Sequence, residues 1–217
     1  MFSYYKLGDI MFNIEKRILK SELKYKGVVV LTYEIEYPQI FSGPYDTSKF
    51  NMFNRRKALF LETTARETLF NQAKELYDYN VSNGYPVMVF EVVSKYTITY
   101  NEPPILSLYQ DEYIFTGGAH GDTTRTSQNW DFAYNKQFSL GDVYYNNPDY
   151  ILCILKQINE QIKYAEAGIY FDDYCQLVLE TFNPNQFYLT NQGVTIYFQH
   201  YDIAPYSSGI PEFNVNC

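Results

Sequence analysis

The chain has 217 residues, 46% of them apolar, with a formal net charge of −8 and a pI near 4.8. That length suits one domain with a substantial core, and the acidity excludes nucleic acid as a partner, because binding its backbone needs a basic face. The 24 Tyr and 16 Phe suit pleated surfaces, where a ring packs and a hydroxyl stays wet.

Residues 1–26 read as an N-terminal arm. Met1 to Ile10 show no basic region followed by an apolar run, and no stretch approaches the length of a membrane-spanning helix. The expectation is a cytoplasmic protein, or an extracellular one if an export or membrane segment lies outside this sequence. Residues 27–217 read as a single domain, with 27–86 supplying a first strand and a long helix. From Val28, residues Val29, Leu31, Tyr33, Ile35 and Tyr37 share one face, as in a half-buried strand. Between Lys49 and Asn80, residues Ala58, Leu61, Ala65, Leu69, Ala73 and Leu76 recur at spacings of three and four, which predicts a long amphipathic helix. Asn83-Gly84 supplies its stop.

Residues 87–213 carry the rest. Strands are predicted over Val87–Tyr100, Ile105–Thr116 and Thr123–Tyr134, in close succession as in an antiparallel meander. Asn147-Pro148-Asp149 opens a helix with the stripe Ile151, Leu155, Ile158, Ile162 and Ala165, stopped at Gly168. A shorter helix is expected over Asp172–Thr181. Gln186–Thr190 and Val194–Gln199 read as a hairpin about Asn191-Gln192-Gly193, followed by an irregular aromatic tail from Tyr201 to Pro211. The fold class is therefore α+β: a largely antiparallel β-sheet covered by a long helix and a second, shorter one.

The chemistry-bearing residues are sparse. His120 and His200 are far apart and in no metal motif, so neither a metal nor a cofactor is expected. Nucleophile elbows, P-loops and dinucleotide fingerprints are missing. Of the three cysteines, Cys153 falls in an apolar helical stretch and reads as a buried thiol, and Cys217 as frayed; the odd count argues against a disulfide framework. The most unusual stretch is Thr116-Gly117-Gly118-Ala119-His120-Gly121-Asp122, whose glycines free the backbone for close approach. It reads either as a loop presenting amides to a ligand or as a sharp crossing between strands.

Those residues also carry a resemblance. Tyr113-Ile114-Phe115-Thr116-Gly117-Gly118-Ala119-His120-Gly121 resembles the hallmark of a bacterial domain family of unknown function. Phe138 to Tyr144, Phe187 to Thr190, Gly193 to Phe198 and Tyr201-Asp202-Ile203-Ala204-Pro205-Tyr206 are similar to its later motifs. The family is found in the extracellular C-terminal region of RsiV-type anti-sigma factors, which sense lysozyme, and in the N-terminal region of PdaC-type peptidoglycan deacetylases, whose catalytic module is separate. The resemblance implies a non-catalytic recognition domain for a lysozyme-like cationic protein or a cell-wall glycan. The expected contact surface is the loop residues Gly117, Gly118, His120 and Asp122 together with Tyr201, Pro205 and Tyr206 of the tail. Two other readings remain: a cell-wall saccharide or peptide hydrolase with His120 as acid or base and Asp122 orienting it, and a cytosolic structural or self-associating protein.

Overall fold

The computed structural model describes residues 11–217. Its order of elements is β1 (Asn13–Tyr25), β2 (Val28–Ser42), α1 (Ser48–Thr63), a π-helical segment (Thr64–Leu69), α2 (Phe70–Asn83), β3 (Phe90–Glu102), β4 (Ile105–Phe115), β5 (Asp122–Asp131), β6 (Lys136–Gln137), α3 (Leu140–Val143), α4 (Tyr150–Lys163), α5 (Tyr174–Thr181), β7 (Phe187–Thr190), β8 (Gly193–Tyr197), a 3-10 turn (Tyr206–Ser208) and β9 (Glu212–Val215). One sheet has the order β1-β2-β3-β4-β5-β6 and the other β7-β8-β9. The expected mixed architecture with a long helix is present.

The segment read as an arm contains β1, which pairs antiparallel with β2 along its whole length; residues 1–10 of that arm lie outside the described residues. The strand escapes a reading by alternation because it carries charge on both faces. Lys16 and Lys20 reach across to Glu36 and Glu34 at 2.8 and 2.5 Å, while Leu19, Leu23 and Tyr25 pack toward the core.

The chain forms two compact units. Among the described residues, the first comprises 11–96 and 110–124, the second 97–109 and 125–217.

In the first unit, β2 and β3 pair in parallel, Leu31 beside Phe90 through Ile35 beside Ser94. Parallel neighbours need a crossover, and α1 and α2 provide it. The helical stripe read from sequence is the one that buries: Ala58, Leu61, Ala65, Leu69 and Ala73 close over Leu31, Tyr33, Ile35, Phe90 and Val92. The Tyr33 hydroxyl donates to Glu62 of α1 at 2.5 Å, so the polar tip of this buried ring is satisfied. The helix ends at Gly84, which is left-handed at φ 70°.

In the second unit, the sheet β7-β8-β9 is antiparallel throughout, and its face packs on α4 and α5. Ile154, Ile158, Ile162 and Val178 meet Phe187, Val194, Ile196, Phe198, Phe213 and Val215. Ser139 and Asp142 form a reciprocal capping box that starts α3, each satisfying an amide that a helix start leaves unpaired. The hairpin at Asn191-Gln192 is as expected, with Thr190 opposite Gly193.

Three local readings are corrected or completed here. Strand β9 lies just beyond the tail read over Tyr201 to Pro211, in a stretch to which no element was assigned, because four residues give too short a pattern to register. Helix α4 stops at Lys163 rather than at Gly168. The third is Cys153, which is not a free thiol: it is disulfide-bonded to Cys217, with Cα atoms 6.0 Å apart. Strand β9 is the reason, since it carries the terminal residues back along α4.

Candidate binding site

The glycine-rich loop joins β4 to β5 in the first unit, and packing accounts for its glycines. A Cβ at Gly121 would lie 2.5 Å from the Tyr113 ring and 2.7 Å from the Ile114 carbonyl oxygen. Gly117, at φ 87°, sits against Leu76, Met88 and Phe90, with Leu76 only 2.9 Å from where its Cβ would be. Gly118 follows at φ 126° facing open space. His120 is exposed, and its Nδ1 lies 2.8 Å from the Gly121 carbonyl oxygen, so Nδ1–H donates to it in the tautomer that fits. The Asp122 carboxylate accepts the Thr123 N–H at 3.0 Å. These four site candidates therefore stand close along one loop, whereas the tail candidates belong to the second unit.

The tail is more ordered than an irregular segment. Residues 199–202 make a reverse turn: the Asp202 N–H donates to the Gln199 carbonyl at 3.2 Å, and the Gln199 N–H returns to the Asp202 carboxylate at 2.8 Å. Tyr201 is the third residue of that turn at φ 66°, a conformation rarely taken by an aromatic residue. Burial raises the Asp202 carboxyl above its ordinary range, against the pull of the Gln199 hydrogen bond. Ile203 and Ala204 are buried in the core, and Pro205 caps the 3-10 turn that holds Tyr206. The Tyr206 ring then lies 4.4 Å from His200 and 5.8 Å from Tyr201, centroid to centroid. Tyr201 itself is 54% exposed. Pro205 thus acts on the backbone, and the rings of His200, Tyr201 and Tyr206 form the surface. Sequence reading missed His200 as a member of this group, although its adjacency to Tyr201 was visible.

Beneath the turn lies a polar centre that sequence reading did not single out. Gln199 pairs with the backbone of Arg125 in both directions: the Arg125 N–H donates to Oε1 at 2.9 Å and Nε2 donates to the Arg125 carbonyl at 2.8 Å. The Arg125 guanidinium is nearly buried, ion-paired with Glu212 and lying over the Tyr109 ring at 3.8 Å. Tyr188 packs on Tyr109 and Tyr197. Burial first, then the charge of Glu212, pushes its hydroxyl well above the usual phenol range. A buried guanidinium stacked on rings and paired with a carboxylate is a rigid support. The only trace of it in sequence is a lone Arg on the inward side of β5.

Among the described residues no group of three or more His, Cys, Asp or Glu side chains converges as a metal site, and no helix is long and apolar enough to cross a membrane. The arrangement offers surfaces: a tight glycine-rich loop, and a preformed ring cluster on a braced turn.

Comparison with known proteins accords with these features. Residues 26–123, from β2 to the start of β5, match the family model described as Deacetylase PdaC. Residues 141–216, from α3 through β9, match the model described as Protein of unknown function (DUF3298). No curated protein matches the sequence. Among solved structures, a member of the DUF3298 family from Bacteroides fragilis NCTC 9343 is similar with a TM-score of 0.67 at 18% identity, over 95% of this chain and 91% of that one. A DUF3298 family protein from Pseudomonas aeruginosa PAO1 is similar with a TM-score of 0.56 at 19% identity, over 94% and 90%. The chain thus carries a segment similar to PdaC followed by a segment similar to DUF3298, a family of unknown function, and shares its fold with two solved DUF3298 proteins.

Proposed function

We propose that this chain is a recognition domain without chemistry of its own, and that its ligand is a cationic protein of the lysozyme type. The observation that carries this reading is the ring cluster of His200, Tyr201 and Tyr206 on a turn braced by Gln199 and Asp202. Rings fixed before contact lose little conformational freedom on binding, and a chain of net charge −8 attracts a basic partner. The Cys153–Cys217 disulfide supports work in an oxidising compartment, where such bonds persist.

Calorimetric titration with a C-type lysozyme at low and moderate salt tests it. Saturable one-to-one binding that survives moderate salt and is weakened at least tenfold by Tyr206→Ala is the expected result. Binding that vanishes with modest salt would be acidic-against-basic attraction alone, since screening removes exposed charge contacts first, and would end the proposal. A cell-wall glycan is the second reading, favoured by the exposure of Tyr201, because sugar rings stack on aromatic faces. Soluble cell-wall oligosaccharide in place of lysozyme, with the same variant, separates the two.

A further inference from the structure

Helix α1 is apolar on two opposite sides. Its inward side, Phe50, Ala58 and Leu61, is buried in the first unit. At about 100° per residue, Met52, Arg56 and Leu59 fall on the side away from that stripe, with Phe53 and Phe60 on one flank and Arg55 on the other. Met52, Phe53 and Leu59 are 49, 41 and 41% exposed and Phe60 is 75% exposed. Phe41, also largely exposed, adjoins this face: the Asn51 side chain of α1 accepts the Ile40 N–H and donates to the Ile40 carbonyl, at 2.8 and 2.9 Å.

The charge on this helix is the reverse of the charge on the chain. Helix α1 carries Lys49, Arg55, Arg56 and Lys57 against the single carboxylate Glu62, on a chain of net charge −8. Lys57 is occupied by Glu112 at 2.8 Å. Arg55 and Arg56 are exposed, have no ion pair among the described residues, and line a cavity of about 440 Å3 with Gln39, Asn51, Met52 and Leu59.

We propose that this outward face of α1 docks on an anionic phospholipid surface, with Phe53, Phe60, Met52 and Leu59 entering the acyl boundary and Arg55 and Arg56 taking lipid phosphates. Exposed apolar side chains flanked by cations along one helix are what an interfacial helix needs, and anionic lipid supplies the complementary charge. Two copies joined through this face would set Arg55 and Arg56 against like charges.

The test is co-sedimentation of the full chain with vesicles of equal parts phosphatidylcholine and phosphatidylglycerol, and with vesicles of phosphatidylcholine alone. Binding to the anionic vesicles only is expected. Arg55→Gln and Arg56→Gln should each weaken it about fivefold, and Phe60→Ser should weaken it at least as much, with circular dichroism unchanged because the side chains are exposed. Tyr206→Ala should bind vesicles as the parent does, which keeps this surface separate from the ring cluster. The proposal is overturned by failure to bind anionic vesicles, or by binding that these α1 variants leave unchanged. It is equally overturned by self-association in ultracentrifugation that Phe60→Ser abolishes, which would assign the face to a second copy.

Discussion

A methyl group at position 121 has nowhere to go. The Tyr113 ring and the Ile114 carbonyl are already closer to that point than any real Cβ contact allows, and the backbone oxygen cannot swing aside. Gly121→Ala should therefore cost about 2 kcal/mol by overpacking, read as a lower urea midpoint with an unchanged slope. An unchanged midpoint would mean that the loop is free to shift and that its glycines serve something other than packing. The glycine pattern was legible in the sequence as a demand for close approach. Whether the approaching group was a ligand or the chain's own Tyr113 was not, because Tyr113 meets Gly121 only once β4 and β5 are placed. Arg125 was hidden for the same reason: its partners Tyr109, Gln199 and Glu212 come from three distant stretches.

At the scale of elements, the edge of the smaller sheet is closed by side chains. Strand β9 has β8 on one side; on the other, Gln157 of α4 donates to the Asn216 carbonyl at 2.9 Å and accepts its N–H at 3.1 Å. Gln161, one turn later, donates to the Asn214 carbonyl at 2.9 Å. An open edge is a template for pairing with other chains, and these amides occupy it. Gln157→Ala should cost about 1–2 kcal/mol, the worth of two hydrogen bonds to a strand edge. Chemical denaturation measures this, and equal stability would show that water replaces the amide without loss. Elements with long regular patterns, such as β2 and the α1–α2 stripe, were readable because burial on one face repeats often enough to show. Strands β1 and β9 were not: in β1 Lys16 and Lys20 put charge on one face and Glu15 and Arg17 on the other, and in β9 four residues hold too few repeats.

At the scale of the molecule, the disulfide closes a loop of sequence separation 64 that holds α4, α5 and the whole three-stranded sheet. Its pairing was illegible in the sequence, since three cysteines leave the choice of partners open and only the return of β9 along α4 decides it. Restricting the unfolded chain over that span should contribute about 4 kcal/mol on loop-closure grounds. Reductant should therefore lower the melting temperature of the parent protein and leave Cys153→Ala unaffected. Equal melting temperatures with and without reductant would show that the bond contributes nothing to stability.

The glutamine pair on α4 also makes the helix a measuring rule. Four helical residues advance about 6 Å, and two strand residues about 6.8 Å, so side chains at 157 and 161 fall in step with backbone groups at 216 and 214. The two scales run in opposite directions and agree only in one alignment. A residue inserted into β9 would leave one amide matched and the other a full tooth out, so α4 reads the position of the strand as well as covering its edge.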